Sequence, residues 1–347
     1  MNYASRIAGA LACAWLALPS AHGAAFKDPL DYPAVKVSQV AGRPMQAVAK
    51  AGGKLIAVGP RGLIAVSIDQ GTTWSQVPSP VQSDLVALHF PSALKGWAVG
   101  HDGVILHSSD GGASWSKQLD GRVAKVAFTR HYAAGDEKVR RAIEQNYKAG
   151  AALPLLGVWF DDDLHGFAVG AFGLLIATSD GGKSWTPWLE KIDNPELFSL
   201  NAVTGGGDGV YIVAERGAIF RLDRAAGRFL RSDTGYEGSF FGVVAGPNAV
   251  LAYGLRGAVY RSLDAGASWN RVATPSSSTI SAGAVLAGSG GFVLASQAGE
   301  LLVADADGSQ FCVRKSQRPR RFTSALHGTD GRLLLSALEG LQIERLK

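Results

Sequence analysis

Four copies of one octapeptide limit what this chain can fold into more than any other feature. They are 67–74 (SIDQGTTW), 108–115 (SSDGGASW), 178–185 (TSDGGKSW) and 262–269 (SLDAGASW). The shared template, [ST]-x-D-x-G-x-[ST]-W, is that of a tight turn. Asp69, Asp110, Asp180 and Asp264, with the hydroxyl residues, can accept hydrogen bonds from nearby backbone N–H groups. The glycine admits a positive φ. Trp74, Trp115, Trp185 and Trp269 open the next strand and can wedge between neighbouring sheets. Two degenerate copies, at 221–229 and 304–311, keep the Asp and a Gly and replace Trp by Phe.

A second signal gives the period. An apolar strand, a short turn ending in glycine and another apolar strand recur seven times, at Gly62, Gly103, Gly173, Gly217, Gly257, Gly299 and Gly340. Five of the six steps are about 42 residues, the length of a four-stranded propeller blade. The 44 glycines among 347 residues are close to twice the usual share of about 7%, as many short strands and tight turns require. The expected fold is all-β: a seven-bladed β-propeller of four-stranded antiparallel blades, with strands a to d running from the centre outward. The C-terminal unit lacks an outer strand and 35–40 (VKVSQV) has no unit of its own, so this N-terminal strand is expected to close the ring in the last blade. The long step, between Gly103 and Gly173, holds a helical insertion at about 130–155. There 136–149 reads as a helix, with Val139, Ile143 and Tyr147 on one stripe and Gly150 at its end.

Residues 1–23 have the form of a secretory signal: Arg6, an apolar run over 7–18, and Ala21-His22-Gly23 before the expected cut after Gly23. Cleavage would leave one domain over 24–347, periplasmic or secreted, with no integral membrane segment. It would also leave one cysteine, Cys312, which cannot form an internal disulfide and is expected to pack in the interior.

Blade geometry sorts the loops. The b–c and d–a loops emerge on one face of the disc, and the a–b and c–d loops, which hold the Asp motifs, on the other. Three b–c turns place an arginine directly before the glycine: Arg61, Arg216 and Arg256. Two d–a loops on that face add Arg43 and the run Arg318, Arg320 and Arg321; the insertion adds Arg130, Arg140 and Arg141. Guanidinium groups suit bidentate binding of carboxylate, phosphate or carbonyl groups. This pattern fits a docking face for an acidic or C-terminal peptide segment or for anionic headgroups. It also fits solvated loop charges partly paired with Asp102, Glu215 and Glu339.

Other chemistries find little support. The Asp-motif carboxylates occupy equivalent places in different blades, so they cannot converge to the 5–10 Å or so that glycoside hydrolysis needs. Asp161, Asp162 and Asp163 fall in an a–b loop and read as solvated charges. The histidines lack zinc-ligand spacing, and no catalytic or nucleotide-binding motif occurs. Neither metal nor cofactor is implied. The net charge of +5 is mild, and export argues against a nucleic-acid partner.

The octapeptide resembles the Asp-box, or bacterial neuraminidase repeat, of sialidases and of several non-enzymatic propellers; the Phe/Tyr-Arg-Ile-Pro motif of sialidases does not occur here. The composite G-x-x-G-x-[LIV]-x-x-[ST]-x-D-G-G-x-[ST]-W at 100–115 and 170–185, with 166–170 (GFAVG) and 238–242 (GSFFG), is more similar to the photosystem II stability/assembly factor-like family, in its bacterial branch. The likeness covers essentially 35–347. It implies a seven-bladed propeller of thylakoid lumen or periplasm whose Arg-rich face binds a membrane-protein assembly intermediate. Arg61, Arg216 and Arg256 match that face, whereas Asp102, Phe172, Ala298 and Glu339 at the equivalent turns thin it. The leading expectation is a non-enzymatic scaffold whose partner is a membrane protein, such as an inner-membrane transporter, or an exported peptide segment. The alternative is an Asp-box glycosidase or a carbohydrate-binding propeller.

Overall fold

The structure is a computed structural model that describes residues 27–206, 209–328 and 330–346. The signal sequence and its cut after Gly23 lie outside the described residues. Among those described, the strands form seven antiparallel sheets arranged as the blades of a propeller. Blade 2 shows the pattern, with strands Leu85–His89, Gly96–Gly100, Ile105–Ser108 and Ser116–Leu119. Its second strand, Gly-Trp-Ala-Val-Gly, is buried throughout, as are Gly166–Gly170, Val250–Gly254 and Phe292–Ser296 in later blades. Neighbouring blades cover both sides of these strands, so they read as unbroken apolar runs rather than as alternating ones.

The core is divided among the gaps between blades. Seven apolar clusters occupy the seven interfaces, one for each neighbouring pair. Trp115 of blade 2 belongs to the cluster that holds Ile56, Val58 and Ile64 of blade 1, so the box tryptophan wedges between blades. Trp97 stacks on Phe160 of the next blade at 3.6 Å, and Trp185 meets the Phe160 ring edge-on at 5.9 Å.

Closure of the ring departs from the expectation. Six blades have four strands, but the last, Phe322–His327, Arg332–Ala337 and Gly340–Arg345, has three. Residues 35–40 form no ladder with it. The Gln76 side chain of blade 1 takes the backbone groups that a ladder would have used: Val37 N–H donates to Gln76 Oε1 (2.7 Å), and Gln76 Nε2 donates to Val35 O (3.1 Å). The segment contributes side chains instead. Val37 and Val40 join Met45, Leu334, Leu341 and Ile343 in the cluster between blades 7 and 1. One backbone bond, Met45 N–H to Ala337 O (3.0 Å), crosses the seam, and Thr323 Oγ1 donates to Met45 O (2.7 Å).

The insertion between blades 2 and 3 carries two helices. α2, Glu137–Asn146, has its N-cap at Asp136 and buries Ile143 and the following Tyr147, as the Val/Ile/Tyr stripe implies. α1, Gly121–His131, is capped by Asp120 and buries Gly121, Ala124 and Phe128, while Val123 and Val126 lie in solvent. Its small and aromatic inner face and aliphatic outer face invert the usual amphipathic pattern, which is why the sequence concealed it. Cys312 is also a correction. It lies in the outer strand Phe311–Lys315, four of whose five residues are exposed, and its thiol is exposed rather than buried. An outer strand has too little blade around it to cover both sides.

Candidate functional site

Five b–c turns share one backbone geometry. The residue before the glycine is left-handed in each: Arg61 (φ 57°), Asp102 (58°), Phe172 (53°), Arg216 (51°) and Arg256 (54°), followed by glycines at 64–72°. Two consecutive left-handed residues make a type I′ turn, whose twist matches that of a right-twisted hairpin. Asn, Asp or Gly normally occupies the first position; a bulkier side chain there costs roughly 1–2 kcal/mol. Strain of this kind tends to gather at functional places.

The glycines show why the turns sit where they do. A Cβ on Gly62 would stand 1.9 Å from Val81 O, and one on Gly257 1.9 Å from Ser276 O. Each b–c turn is thus pressed against the d–a loop that leads into the next blade, and the two loop sets share one face. The insertion belongs to it as well: Gly103 abuts Gly121 of α1, and Asn146 Nδ2 donates to Phe172 O at 3.0 Å.

On this face the side chains of Arg61, Arg216 and Arg256 are exposed. Among the described residues, none of their guanidinium groups is in an ion pair, and the nearby carboxylates are occupied elsewhere. Asp84 Oδ1 accepts the backbone N–H of Arg61 (2.8 Å), Asp102 accepts Ser83 Oγ (2.7 Å), and Glu215 accepts Ser199 N–H (3.0 Å). The other expected arginines differ. Arg321 Nε lies 2.7 Å from Glu339 Oε1, and Arg320 Nη1 donates to Glu339 O at 2.8 Å. Arg318 is exposed. Arg140 and Arg141 pair along α2 with Glu144 and Glu137. Arg43 and Arg130 are exposed. The expected set therefore divides into arginines in no ion pair among the described residues (Arg61, Arg216, Arg256, Arg43, Arg130 and Arg318) and internally bonded ones.

The sequence did not point to three further features. Phe172 presents an aromatic ring to solvent, 55% exposed, at the turn between those of Asp102 and Arg216. A groove of about 1000 Å³ runs between α2 and residues 189–197, lined by Val139, Ala142, Leu189, Ile192 and Leu197 together with charges of both signs. Leu197 is itself left-handed at 55°. Arg271, in an outer strand that gave no motif, borders a cleft beside Arg256.

The opposite face is chemically closed. Asp110 Oδ1 accepts Ser108 Oγ (2.8 Å) and Ser114 N–H (2.9 Å), and its Oδ2 accepts Ser114 Oγ (2.6 Å). The same set recurs at Asp69, Asp180 and Asp264. These bonds favour the carboxylate and hold all four groups down at about 2. The indoles of Trp74 and Trp115 donate back to Gly71 O and Gly112 O. Those of Trp185 and Trp269 are buried with no acceptor among the described residues. Asp161 pairs with Arg224 and Asp162 with His165, and no metal-holding cluster of His, Cys, Asp or Glu occurs among the described residues.

The central channel, about 490 Å³, is lined by the seven inner strands, with Lys50, His89, Trp159 and His327 among its larger polar side chains. No Asp or Glu is among its described lining residues. His89 Nδ1 accepts Phe160 N–H (3.2 Å), and burial pushes the imidazole down to about 4.

The family model described as Photosynthesis system II assembly factor YCF48 matches residues 141–343, more than half of the chain. The chain belongs to this family. A curated relative, Photosystem II assembly lipoprotein Ycf48 of Synechococcus sp. (strain CC9902), is 29% identical over 129 residues. That match spans 36% of this chain and 38% of the relative. Two solved structures share the fold. "YCF48 bound to D1 peptide" aligns with a TM-score of 0.65 at 15% identity, over 91% of this chain and 99% of that one. "YCF48 from Cyanidioschyzon merolae" aligns at 0.64 and 14%, over 89% and 98%. No helix among the described residues is long and apolar enough to cross a membrane.

Proposed function

We propose that this chain is a non-enzymatic scaffold, exported to the periplasm, that docks a segment of a membrane protein on the face of its b–c turns. The observation that carries the proposal is the state of Arg61, Arg216 and Arg256: held left-handed, exposed, and free of ion pairs among the described residues. Arg318, Arg320 and Arg321 extend the surface, the last two as groups whose orientation Glu339 fixes. A rigid ring presents these side chains at set angles, so little ordering entropy is lost on binding. Family membership supports an assembly or stability role, and the solved relative bound to a D1 peptide supports a peptide segment of a membrane protein as the partner class. The glycosidase alternative lacks a pair of carboxylates: the box aspartates are consumed by their own turns, and the described channel lining has neither Asp nor Glu.

The test is the triple charge reversal R61E/R216E/R256E, followed by affinity purification from detergent-solubilised envelope. A folded variant that loses its membrane-protein partner supports the docking face. A partner recovered at normal yield would refute it.

A further inference from the structure

We infer that the outer face of α1 is a docking surface for an anionic phospholipid bilayer, with Val123 and Val126 entering the interface and Lys125 and Arg130 meeting the headgroups. This goes beyond the docking of a protein segment and stands on other residues. Val123, Val126, Ala127 and Arg130 follow one another at i, i+3, i+4 and i+7, so they share one side of the helix. All four are exposed, Val123 at 57% and Val126 at 59%. Ala124 and Phe128, on the other side, are buried. One exposed valine is ordinary; two on a single stripe, bordered by free cations, call for a partner.

The neighbouring helix gives the contrast. α2 belongs to the same insertion, and each of its exposed residues is charged or an amide. Its guanidinium groups are spent within the helix, Arg140 on Glu144 and Arg141 on Glu137. α1 has no Asp or Glu from 121 to 131. Lys125 and Arg130 are exposed, and neither is in an ion pair among the described residues. The carboxylates at its start are occupied. Asp120 is buried as the N-cap and holds Lys117 and Arg122, while Asp28 and Asp31 also take Arg122. An aliphatic strip beside unneutralised cations matches an anionic membrane surface in polarity and in charge.

The setting of the helix favours the same partner. α1 is a fixed platform: Gly121 lies against Gly103 at one end, and at the other Tyr132 Oη donates to Glu190 Oε2 (2.5 Å) and accepts Leu189 N–H (3.0 Å). The chain also enters the described structure beside it, since Asp28 and Asp31 bind Arg122 and Lys117 Nζ donates to Leu30 O at 3.1 Å. The apolar run 7–18 ends shortly before that point in the chain, so a bilayer that receives the run is close to α1. Because the insertion shares the face of the b–c turns, contact through α1 would turn that face toward the membrane.

The test is co-sedimentation of the full chain with vesicles that are one third phosphatidylglycerol and two thirds phosphatidylcholine, and with pure phosphatidylcholine, read together with hydrogen exchange over 121–131. The mixed vesicles are expected to bind the chain and to slow exchange across α1. A cation near an anionic surface contributes about fivefold in affinity, so K125Q/R130Q should weaken binding about twentyfold. V123S/V126S should weaken it about tenfold. Salt at about 1 M, where the Debye length is about 3 Å, should remove the electrostatic part. These exposed substitutions should leave the unfolding midpoint in place. No binding to the mixed vesicles, or equal binding to both kinds, would overturn the assignment. Binding unchanged in both variants would transfer it to the apolar run 7–18 and refute the role of α1. If V123S/V126S instead loses a membrane protein in purification while vesicle binding persists, the face is a protein interface and the lipid assignment falls.

Discussion

The two faces of the disc are built from the same material, short turns with left-handed residues, and differ in where their polar groups are spent. On the Asp-box face each carboxylate is consumed by its own turn, taking a hydroxyl, a backbone N–H and a second hydroxyl within five or seven residues. On the b–c face the turns are held by glycine packing and by bonds to their backbone groups, such as Arg61 N–H to Asp84 Oδ1 and Thr274 Oγ1 to Gly257 O, so the guanidinium groups of Arg61, Arg216 and Arg256 take no part in holding the turns that carry them. Arg256 could be almost any residue for the fold's sake; Asp110 could not. A surface of this second kind is free to specify a partner.

That contrast can be broken at several points, beginning with the largest effect. Trp115→Ala empties the wedge between blades 1 and 2 and should cost about 3–5 kcal/mol in chemical denaturation; a loss below 1 kcal/mol would mean the box tryptophan is peripheral. Gly257→Ala forces a left-handed Cβ to within 1.9 Å of Ser276 O and should cost about 2 kcal/mol or more. Asp110→Ala orphans two backbone N–H groups and two hydroxyls that are partly exposed to water, so a loss of about 1–3 kcal/mol is expected, and thermal unfolding would report it.

The smallest effect has the opposite sign. Arg256→Gly relieves a strained left-handed residue, so stability should hold or rise by up to about 1 kcal/mol, even as partner binding falls. A clear loss of stability would show that the arginine serves the fold after all.

Acid probes the box turns as well. The box carboxylates titrate at about 2 in the folded chain against an ordinary value near 3.8. The folded state therefore binds these protons less readily, and the stability they provide above pH 4 is lost as pH falls from about 4 toward 2. Denaturation midpoints should drop across that window, and less steeply in Asp110→Ala. The guanidinium groups keep their charge throughout, while on their face Asp120, also at about 2, and Glu339, held below its ordinary range by Arg321, add to the same loss.

Much of the architecture was legible in the sequence because it repeats. A blade is a local structure of about 42 residues, so its turn glycines can be read seven times over and its box hydrogen bonds, set by neighbours within a few residues, four times. What escaped depended on distant neighbours. Residues 35–40 have a strand's composition, yet Gln76 takes their backbone groups and their valines serve the seam as packing. α1 hides its small face against blade 3, which no periodicity announces. The bonds of Arg320 and Arg321 to Glu339, and the cleft that Arg256 and Arg271 both border, likewise join residues 15 or more apart.

The sequence by itself determined the number of blades, the chemistry of the Asp-box turns and which loops share a face, since strand order and short-range hydrogen bonding fix all three. Only the tertiary structure decided how the ring is sealed, which arginines stay unpaired and where two of them border one cleft. Those outcomes turn on contacts between blades, and a contact between blades depends on distances that no local pattern encodes.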